Sequence, residues 1–199
     1  MGETTADDLF ESKVAELREL YHSLRDEMRR KWDRDLPLEE LLFDRWERAK
    51  HLGFGEGTSI FHNSYVYGKV IVGRETWIGP FTFLDGSGGL EIGDHCNISA
   101  GVQIYTHSTV KRAVSGGKAE PERAPVKIGN CCYIAPGVII SKGVTIGDHA
   151  VIGASAFVNR DIPAFSVGVG VPCRVTGKVE LNEAGEVSIT YQERSKRMY

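Results

Sequence analysis

The sequence predicts a mainly β fold in which short strands wind into a coil and successive coils stack, with α-helices before it and a β-hairpin after it. Three observations favour this fold class: aliphatic residues recur every six positions, glycine is abundant, and both ends of the chain follow other patterns. Glycine accounts for 23 of the 199 residues, well above the usual share of about 7%. A backbone this rich in glycine is expected to turn tightly in many places.

The six-residue period is the strongest signal in the chain. It fits neither the period of about 3.6 residues of an α-helix nor the alternation of a single strand, but it fits short strands joined by tight corners. A small or β-branched residue follows most aliphatic positions by four, so each hexamer is expected to bury two side chains. With three hexamers per coil, Ile128 would lie over Ile146 and Ile134 over Ile152. The aliphatic positions are Ile60, Val66, Val72, Ile78, Leu84, Ile92, Ile98, Ile104, Ile128, Ile134, Ile140, Ile146, Ile152 and Val158.

Small residues mark two further positions of the hexamer. The residue directly after the aliphatic one is commonly glycine, which is expected where the backbone turns tightly or takes a positive φ. Cys96 and Cys132 occupy the small inward position and are interpreted as buried apolar residues. All four cysteines are expected to be free thiols in a reducing compartment, rather than disulfide partners or zinc ligands.

The N-terminal segment predicts two helices. Pro37 suits the first turn of a second helix from about 37 to 50. Both helices need a surface to cover, either the open first coil or the same helices of other copies, and Tyr21 and Trp46 are core candidates. The first helix has one apolar seam with charges between its members: Phe10, Val14, Leu17, Tyr21, Leu24 and Met28.

The end of the chain predicts a hairpin. After Pro172 apolar residues alternate on both sides of a turn at 182–185, which indicates two strands that cover the last coil. The expected organisation is a helical segment at 1–57, the coil at 58–172 with an irregular loop at 108–125, and the hairpin and charged tail at 173–199.

Composition and charge exclude several classes of protein. The net charge is −3 and the basic residues are scattered, which argues against nucleic acid as a partner. No apolar run is long enough for a membrane span, and Asp7, Asp8 and Glu11 lie where a secretory signal would be cationic and then apolar. A cytoplasmic location is therefore expected.

The one interruption of the repeat indicates where chemistry takes place. The loop at 108–125 follows His107, and long irregular excursions from regular folds usually build sites. His95, His107 and His149 occupy equivalent places in their hexamers, so position alone does not choose among them. His95 and His149 are interpreted as solvated corner residues, whereas the loop would shield His107 and make it a candidate general base.

The run of hexamers at 58–172, with Pro125 to Gly129 directly after the loop, resembles the hexapeptide-repeat acyltransferases, including galactoside, maltose and antibiotic O-acetyltransferases. The resemblance implies a left-handed parallel β-helix, a homotrimer with sites between subunits, acetyl-CoA as acyl donor and no metal. His107 would be the general base. The expected reaction is O-acetylation of a sugar hydroxyl, in surface polysaccharide assembly or on a small glycoside, and the alternative is N-acetylation of a nucleotide-linked amino sugar.

The same resemblance implies residues that contact the acceptor. Asp85 is similar to an acidic acceptor-binding position of relatives, although an Asp-Gly turn explains it equally well. Glu120 is similar to an acceptor-side glutamate of the galactoside enzymes, and Asn97 and Tyr105 are further candidates.

The coils after the loop are expected to bind CoA. The relatives use backbone amides along the later coils, an aromatic residue and terminal basic residues for the phosphates. Lys178 is assigned because Gly177 stands where some relatives have a second arginine. The candidates are Tyr133, Ala135, Gly153, Arg160, Arg174 and Lys178.

Two other classes share the coil. A zinc-dependent hydratase of the γ-carbonic anhydrase type would need histidines brought together, including a pair closer in sequence than His95 and His107. A non-catalytic trimeric spacer would use the repeat alone. Metal analysis and an acetyl-transfer assay distinguish these classes from an acetyltransferase.

Overall fold

The computed structural model of the chain describes residues 5–191. The chain divides into two compact units, Met1–Arg45 and Trp46–Tyr199. The domain boundary expected after residue 57 stays a prediction, and the charged tail at 192–199 lies outside the described residues. None of the helices described has both the length and the apolar character that crossing a membrane requires.

The first unit contains the long helix α1 (Ala6–Trp32) that the apolar seam predicts. A capping box starts it: the Thr5 hydroxyl accepts from the amide of Asp8 at 3.2 Å, and the Asp8 carboxylate accepts from the amide of Thr5 at 3.1 Å. No residue of α1 is buried, and Phe10 of the seam is 65% exposed. Packing of this seam on the open first coil and its pairing with the same helix of other copies both stay predictions.

The second helical segment differs from the prediction of one helix over 37–50. It forms α2 (Leu38–Leu42) and α3 (Arg45–His51), because Phe43 adopts extended backbone angles between them. Ala49 of α3 belongs to the core of the solenoid, and the Arg48 guanidinium donates to the carbonyls of Phe61 and Ser64 in the first coil. The expectation that Trp46 lies in the core is wrong, since half of its surface is exposed.

The second unit is a parallel β-solenoid, as the six-residue period predicts. Its strands form an eight-stranded sheet in the order β1-β3-β5-β10-β13-β15-β16-β17, a seven-stranded sheet that follows β12-β9-β4-β6-β11-β14 with β2 also paired to β4, and the two-stranded pair β7-β8. The bounds are β1 (Ser59–Ile60), β2 (Tyr65–Val72), β3 (Trp77–Ile78), β4 (Phe83–Ile92), β5 (Asn97–Ile98), β6 (Gln103–Ile104), β7 (His107–Ser108), β8 (Glu122–Arg123), β9 (Val126–Ile128), β10 (Tyr133–Ile134), β11 (Ile139–Ile140), β12 (Thr145–Ile146), β13 (Val151–Ile152), β14 (Phe157–Val158), β15 (Ser166–Val169), β16 (Arg174–Leu181) and β17 (Val187–Tyr191).

The core is a set of aliphatic ladders inside the coil. Ile128 pairs with Ile146, and Ile134 pairs with Ile152, which confirms the predicted stacking. Ile134 is fully buried, and Cys96 and Cys132 fill inward positions at 2% exposure each, as predicted. All four cysteines are free thiols.

The positive φ angles at the corners occur at a different position of the hexamer from the expected one. Gly129, directly after an aliphatic residue, does not have a positive φ, but a Cβ there would lie 2.7 Å from the backbone nitrogen of Asp148, so close approach of the next coil requires the glycine. The left-handed angles fall instead three residues after the aliphatic position, at His95 (φ 55°) and His149 (φ 57°) among others. These two histidines are therefore corner residues.

The C-terminal hairpin is confirmed. Strands β16 and β17 pair antiparallel around a turn in which Gly185 has a φ of 81°, and β16 pairs in turn with β15 at the edge of the last coil.

Candidate active site

The loop after β6 leaves the solenoid and returns to it at a defined point. Its first residues form β7, which pairs antiparallel with β8, and the amide of Ala124 donates to the carbonyl of Thr106 at 2.9 Å. Between them lies the short helix α4 (Val110–Val114), which the sequence patterns do not predict. The root of the loop, where His107 lies, is therefore held by backbone hydrogen bonds.

Glu122 links the returning limb of the loop to two lysines. Its carboxylate lies 2.7 Å from Lys111 Nζ and 3.7 Å from Lys142 Nζ. The hydrogen bond from Lys111 is the main cause that lowers the pKa of Glu122. These pairs are partly exposed and each contributes little stability, but together they restrict the loop.

Asp85 is a buried carboxylate beneath this root. It is 1% exposed, and its Oδ1 accepts from the amide of Ser87 at 2.9 Å while its Oδ2 accepts from the amide of Thr106 at 2.9 Å. Burial by itself raises the pKa of Asp85, but hydrogen bonds from Ser87, His107 and Thr106 outweigh burial and hold its pKa well below the ordinary 3.8. The carboxylate is therefore ionised at neutral pH.

His107 lies directly against this carboxylate. Its Nδ1 is 2.6 Å from Asp85 Oδ2, and its side chain is 35% exposed. Because an ionised carboxylate can only accept, Nδ1 carries a proton, which leaves Nε2 of the neutral ring as an acceptor. A base oriented by a buried carboxylate is the arrangement that removes a proton from a hydroxyl nucleophile.

Tyr105, another predicted acceptor residue, precedes His107 by two residues. Its hydroxyl donates to Gln103 Oε1 at 2.7 Å, and its ring lies 5.2 Å from the ring of Phe83, centroid to centroid. Tyr105 therefore lies beside Phe83, on the strand that carries Asp85, whereas the direct contact at the root of the loop is between Asp85 and His107.

The other acceptor candidates lie elsewhere in the single chain. Asn97 is on β5 of the eight-stranded sheet, where it pairs with Tyr133 and accepts from the Ser99 hydroxyl at 3.1 Å. Glu120 is an exposed residue of the loop. Their contact with an acceptor stays a prediction.

The predicted CoA residues Tyr133, Ala135 and Gly153 lie on or directly after strands of the eight-stranded sheet. Tyr133 is 42% exposed. The amide of Ala135 already donates to Ile152 and that of Gly153 to Gly168 in the bonds between coils. Contact with CoA through these two amides would therefore cost a ladder hydrogen bond, and their role stays a prediction.

Three predicted cationic residues lie at the C-terminal end of the solenoid. Arg160 follows β14, and Arg174 and Lys178 belong to β16. All three residues are exposed. Arg174 donates to the carbonyl of Cys173 at 2.8 Å. Within residues 5–191, neither Arg160 nor Lys178 forms an ion pair, and no cluster of three or more His, Cys, Asp or Glu could hold a metal ion.

The sequence patterns miss the contact between Asp85 and His107. They also miss Thr106, whose hydroxyl donates to the Asp85 carbonyl at 2.8 Å and accepts from the amide of Gly88 at 2.7 Å. The signal that could have found this contact is the alignment of two aliphatic positions of the repeat, Leu84 and Ile104, which pair in the structure. This pairing spans the phase shift of the repeat and places Asp85 beside the segment that follows Ile104.

Comparison with known proteins identifies the family. A model of the bacterial transferase hexapeptide (six repeats) matches residues 125–160. The galactoside O-acetyltransferase of Escherichia coli (strain K12) is 31% identical over 128 residues, 54% of this chain and 63% of that protein. A maltose O-acetyltransferase from Clostridium difficile 630 is 31% identical, with 81% of this chain and 89% of that chain covered and a TM-score of 0.53. The chain belongs to the hexapeptide-repeat acyltransferases.

Membership of the hexapeptide-repeat family makes the solenoid a left-handed parallel β-helix. A galactoside acetyltransferase solved in complex with coenzyme A is 27% identical, with 82% of this chain and 81% of that chain covered and a TM-score of 0.58. The chain spans less than two thirds of the length of the E. coli galactoside enzyme.

Proposed function

We propose that this protein is an acetyl-CoA-dependent O-acetyltransferase that acts on a sugar hydroxyl, in the assembly of a surface polysaccharide or on a small glycoside, in the cytoplasm. The observation that carries the proposal is the 2.6 Å contact between the buried Asp85 carboxylate and the half-buried His107 ring. The names of the galactoside and maltose relatives support acetyl transfer to a sugar oxygen.

In the proposed reaction, His107 Nε2 removes the proton from the acceptor hydroxyl while that oxygen attacks the thioester carbonyl carbon. The carbon–sulfur bond then breaks, and the CoA sulfur leaves with the proton that His107 holds. The products are an acetyl ester and free CoA thiol. General base catalysis of this kind typically contributes about 10² to 10⁴ in rate.

Asp85 is the positioning residue in this mechanism. It holds the Nδ1 proton and stabilises the imidazolium that forms after proton transfer. Direct contact between Asp85 and the acceptor, which the family resemblance implies, stays a prediction, and Tyr105, Asn97 and Glu120 are the other proposed acceptor residues.

The CoA complex of a galactoside acetyltransferase supports acetyl-CoA as the acyl donor. In this chain, exposed Arg160 and Lys178 have no acidic partner among the described residues, which suits them to phosphate groups. Tyr133, Ala135, Gly153 and Arg174 complete the proposed CoA surface. We further propose a homotrimer, with each site formed between two subunits.

A kinetic experiment tests the base. Release of thiol from acetyl-CoA is measured with a panel of sugars and amino sugars for the native chain, His107→Asn and Asp85→Asn. His95→Asn is the matched control, because His95 is an exposed corner residue with a φ of 55°, which asparagine tolerates. We expect His107→Asn to lower kcat at least 100-fold and Asp85→Asn to lower it about tenfold or more, each with little change in the KM for acetyl-CoA.

The same panel decides between the alternatives. Equal rates for the native chain and His107→Asn would contradict the proposed base. Transfer only to amino groups would favour N-acetylation of an amino sugar. Absence of transfer to any acceptor would favour the spacer, and stoichiometric zinc in the purified protein would favour the hydratase.

A further inference from the structure

Four aromatic side chains form a continuous row on the outside of the solenoid. The row consists of Tyr65, Tyr67, Phe83 and Tyr105, which we call the aromatic ladder. Its ring centroids are 6.4 Å apart for Tyr65 and Tyr67, 5.2 Å for Tyr67 and Phe83, and 5.2 Å for Phe83 and Tyr105.

The aromatic ladder leads to the proposed catalytic pair. Alternate residues of a strand point to one face, so Phe83 and Asp85 of β4 share a face. Tyr65 pairs with Phe83, and Tyr67 pairs with Asp85, so β2 presents its two tyrosines on that same face one coil away. Tyr105 precedes His107 by two residues at the root of the loop.

The ladder is not needed to fill the core of the single chain. Tyr65 is 61% exposed and Tyr67 is 49% exposed, whereas Leu84, between Phe83 and Asp85, is fully buried. Within residues 5–191, the hydroxyl groups of Tyr65 and Tyr67 make no hydrogen bond. The surface therefore combines apolar ring area with unused polar groups.

That combination matches a saccharide. Sugar rings have apolar C–H faces that pack on aromatic rings and hydroxyl edges that need hydrogen-bond partners. Tyr67 pairs with Asp85 on the neighbouring coil, about 4.8 Å away, and Tyr65 lies two residues, about 7 Å, further along β2. The far end of the ladder, at Tyr65, therefore lies beyond a single sugar unit held at His107.

Building on the proposed function, we infer that the aromatic ladder binds a second part of the acceptor, a saccharide chain that extends from the reacting unit at His107 toward Tyr67 and Tyr65. The enzyme accordingly selects oligosaccharides over monosaccharides. A second copy of this chain is the rival occupant of the surface, but it would leave the tyrosine hydroxyls to find partners in an interface.

The test compares acceptors of increasing length. The kcat/KM for acetyl transfer is measured with glucose through maltotetraose and with galactose through galactotetraose, for the native protein, Tyr65→Ala and Tyr67→Ala. The matched control is Tyr191→Ala, an exposed tyrosine (65%) on the hairpin, away from the ladder. We expect the native protein and the control to prefer the tetrasaccharide of one series about tenfold over its monosaccharide, and both ladder variants to reduce that ratio toward one.

Two outcomes overturn the inference while leaving the proposed function intact. One is transfer with a length ratio that is the same in the native protein and the ladder variants. The other is a change of oligomeric state in Tyr67→Ala by sedimentation velocity, which would assign the ladder to a subunit interface.

If no saccharide accepts an acetyl group, the proposed function fails, and calorimetric titration of the same two tetrasaccharides decides the inference by itself. Weaker binding to Tyr67→Ala than to Tyr191→Ala would support the ladder. Equal affinities, or no detectable binding of either tetrasaccharide to the native protein, would overturn it.

Discussion

At the scale of single residues, the site depends on a buried carboxylate whose charge is stabilised by hydrogen bonds. The Asp85 carboxylate is 1% exposed, but it accepts hydrogen bonds from backbone amides of Ser87 and Thr106 and lies against His107. Burial of an unpaired carboxylate would cost several kcal/mol, whereas these donors stabilise its charged form. The same contacts orient the imidazole of His107 at the surface.

The lowered pKa of Asp85 predicts a pH dependence of stability. Because its pKa in the folded chain lies below the ordinary 3.8, the ionised carboxylate stabilises the fold above about pH 4, and this contribution is lost as the pH falls through the folded-state pKa. We expect Asp85→Asn to lower the free energy of unfolding by about 1–3 kcal/mol at pH 7. The difference in the free energy of unfolding between the native protein and Asp85→Asn should be smaller at pH 3 than at pH 7, as measured by urea unfolding. A gap that widens on acidification would contradict this assignment.

At the scale of the elements, each short strand is held by the inward member of its hexamer. In β11, Ile140 is fully buried and pairs with Ile104 and Val158, while its neighbour Ile139 is 36% exposed. Glycine contributes in another way, because Gly129 allows the next coil to approach where a Cβ would collide with Asp148. The strands are too short to be stable alone, so this stacking provides their stability.

Neighbouring isoleucines in β11 provide a matched test of this point. Ile140→Ala should lower the free energy of unfolding by about 2–5 kcal/mol, because it leaves a cavity in the ladder. Ile139→Ala should lower it by less than about 1 kcal/mol. Denaturant unfolding of both variants checks the difference, and similar losses would mean that the outward face of β11 is also packed in the assembled protein.

At the scale of the whole molecule, one chain does not bring all the proposed site residues together. Asp85, Tyr105 and His107 belong to the seven-stranded sheet and the loop, whereas Asn97 and Tyr133 lie on the eight-stranded sheet. A site formed between two copies would join the two surfaces and supports the proposal of an oligomer, which the family resemblance makes a trimer.

Subunit mixing tests this arrangement. If His107 and Arg160 serve one site from different copies, co-refolded His107→Asn and Arg160→Ala chains form some sites that contain both native residues. We expect acetyl transfer at limiting acetyl-CoA well above the sum of the separately refolded variants. Activity no higher than that sum, in oligomers shown by mass spectrometry to be mixed, would place both residues in a site within one chain.

The helical region and the corners show where prediction from sequence fails. The break at Phe43 splits a segment whose apolar spacing predicts one helix, because the extended backbone at that residue ends α2. The glycine pattern predicts positive φ at the wrong position, because composition cannot distinguish a turn from a close approach between coils. The close approach at the corners depends on contacts between coils, which are remote in sequence.

The solenoid, its inward ladders, the hairpin and the position of the loop were determined by the sequence alone, because a six-residue period states which side chains are buried and how the coils align. The partnership of Asp85 with His107 and the aromatic ladder beside it were decided only by the tertiary structure. Both join residues about one coil apart, across a phase shift in the repeat and at the mouth of an irregular loop. Register there is set by packing, which no local pattern records.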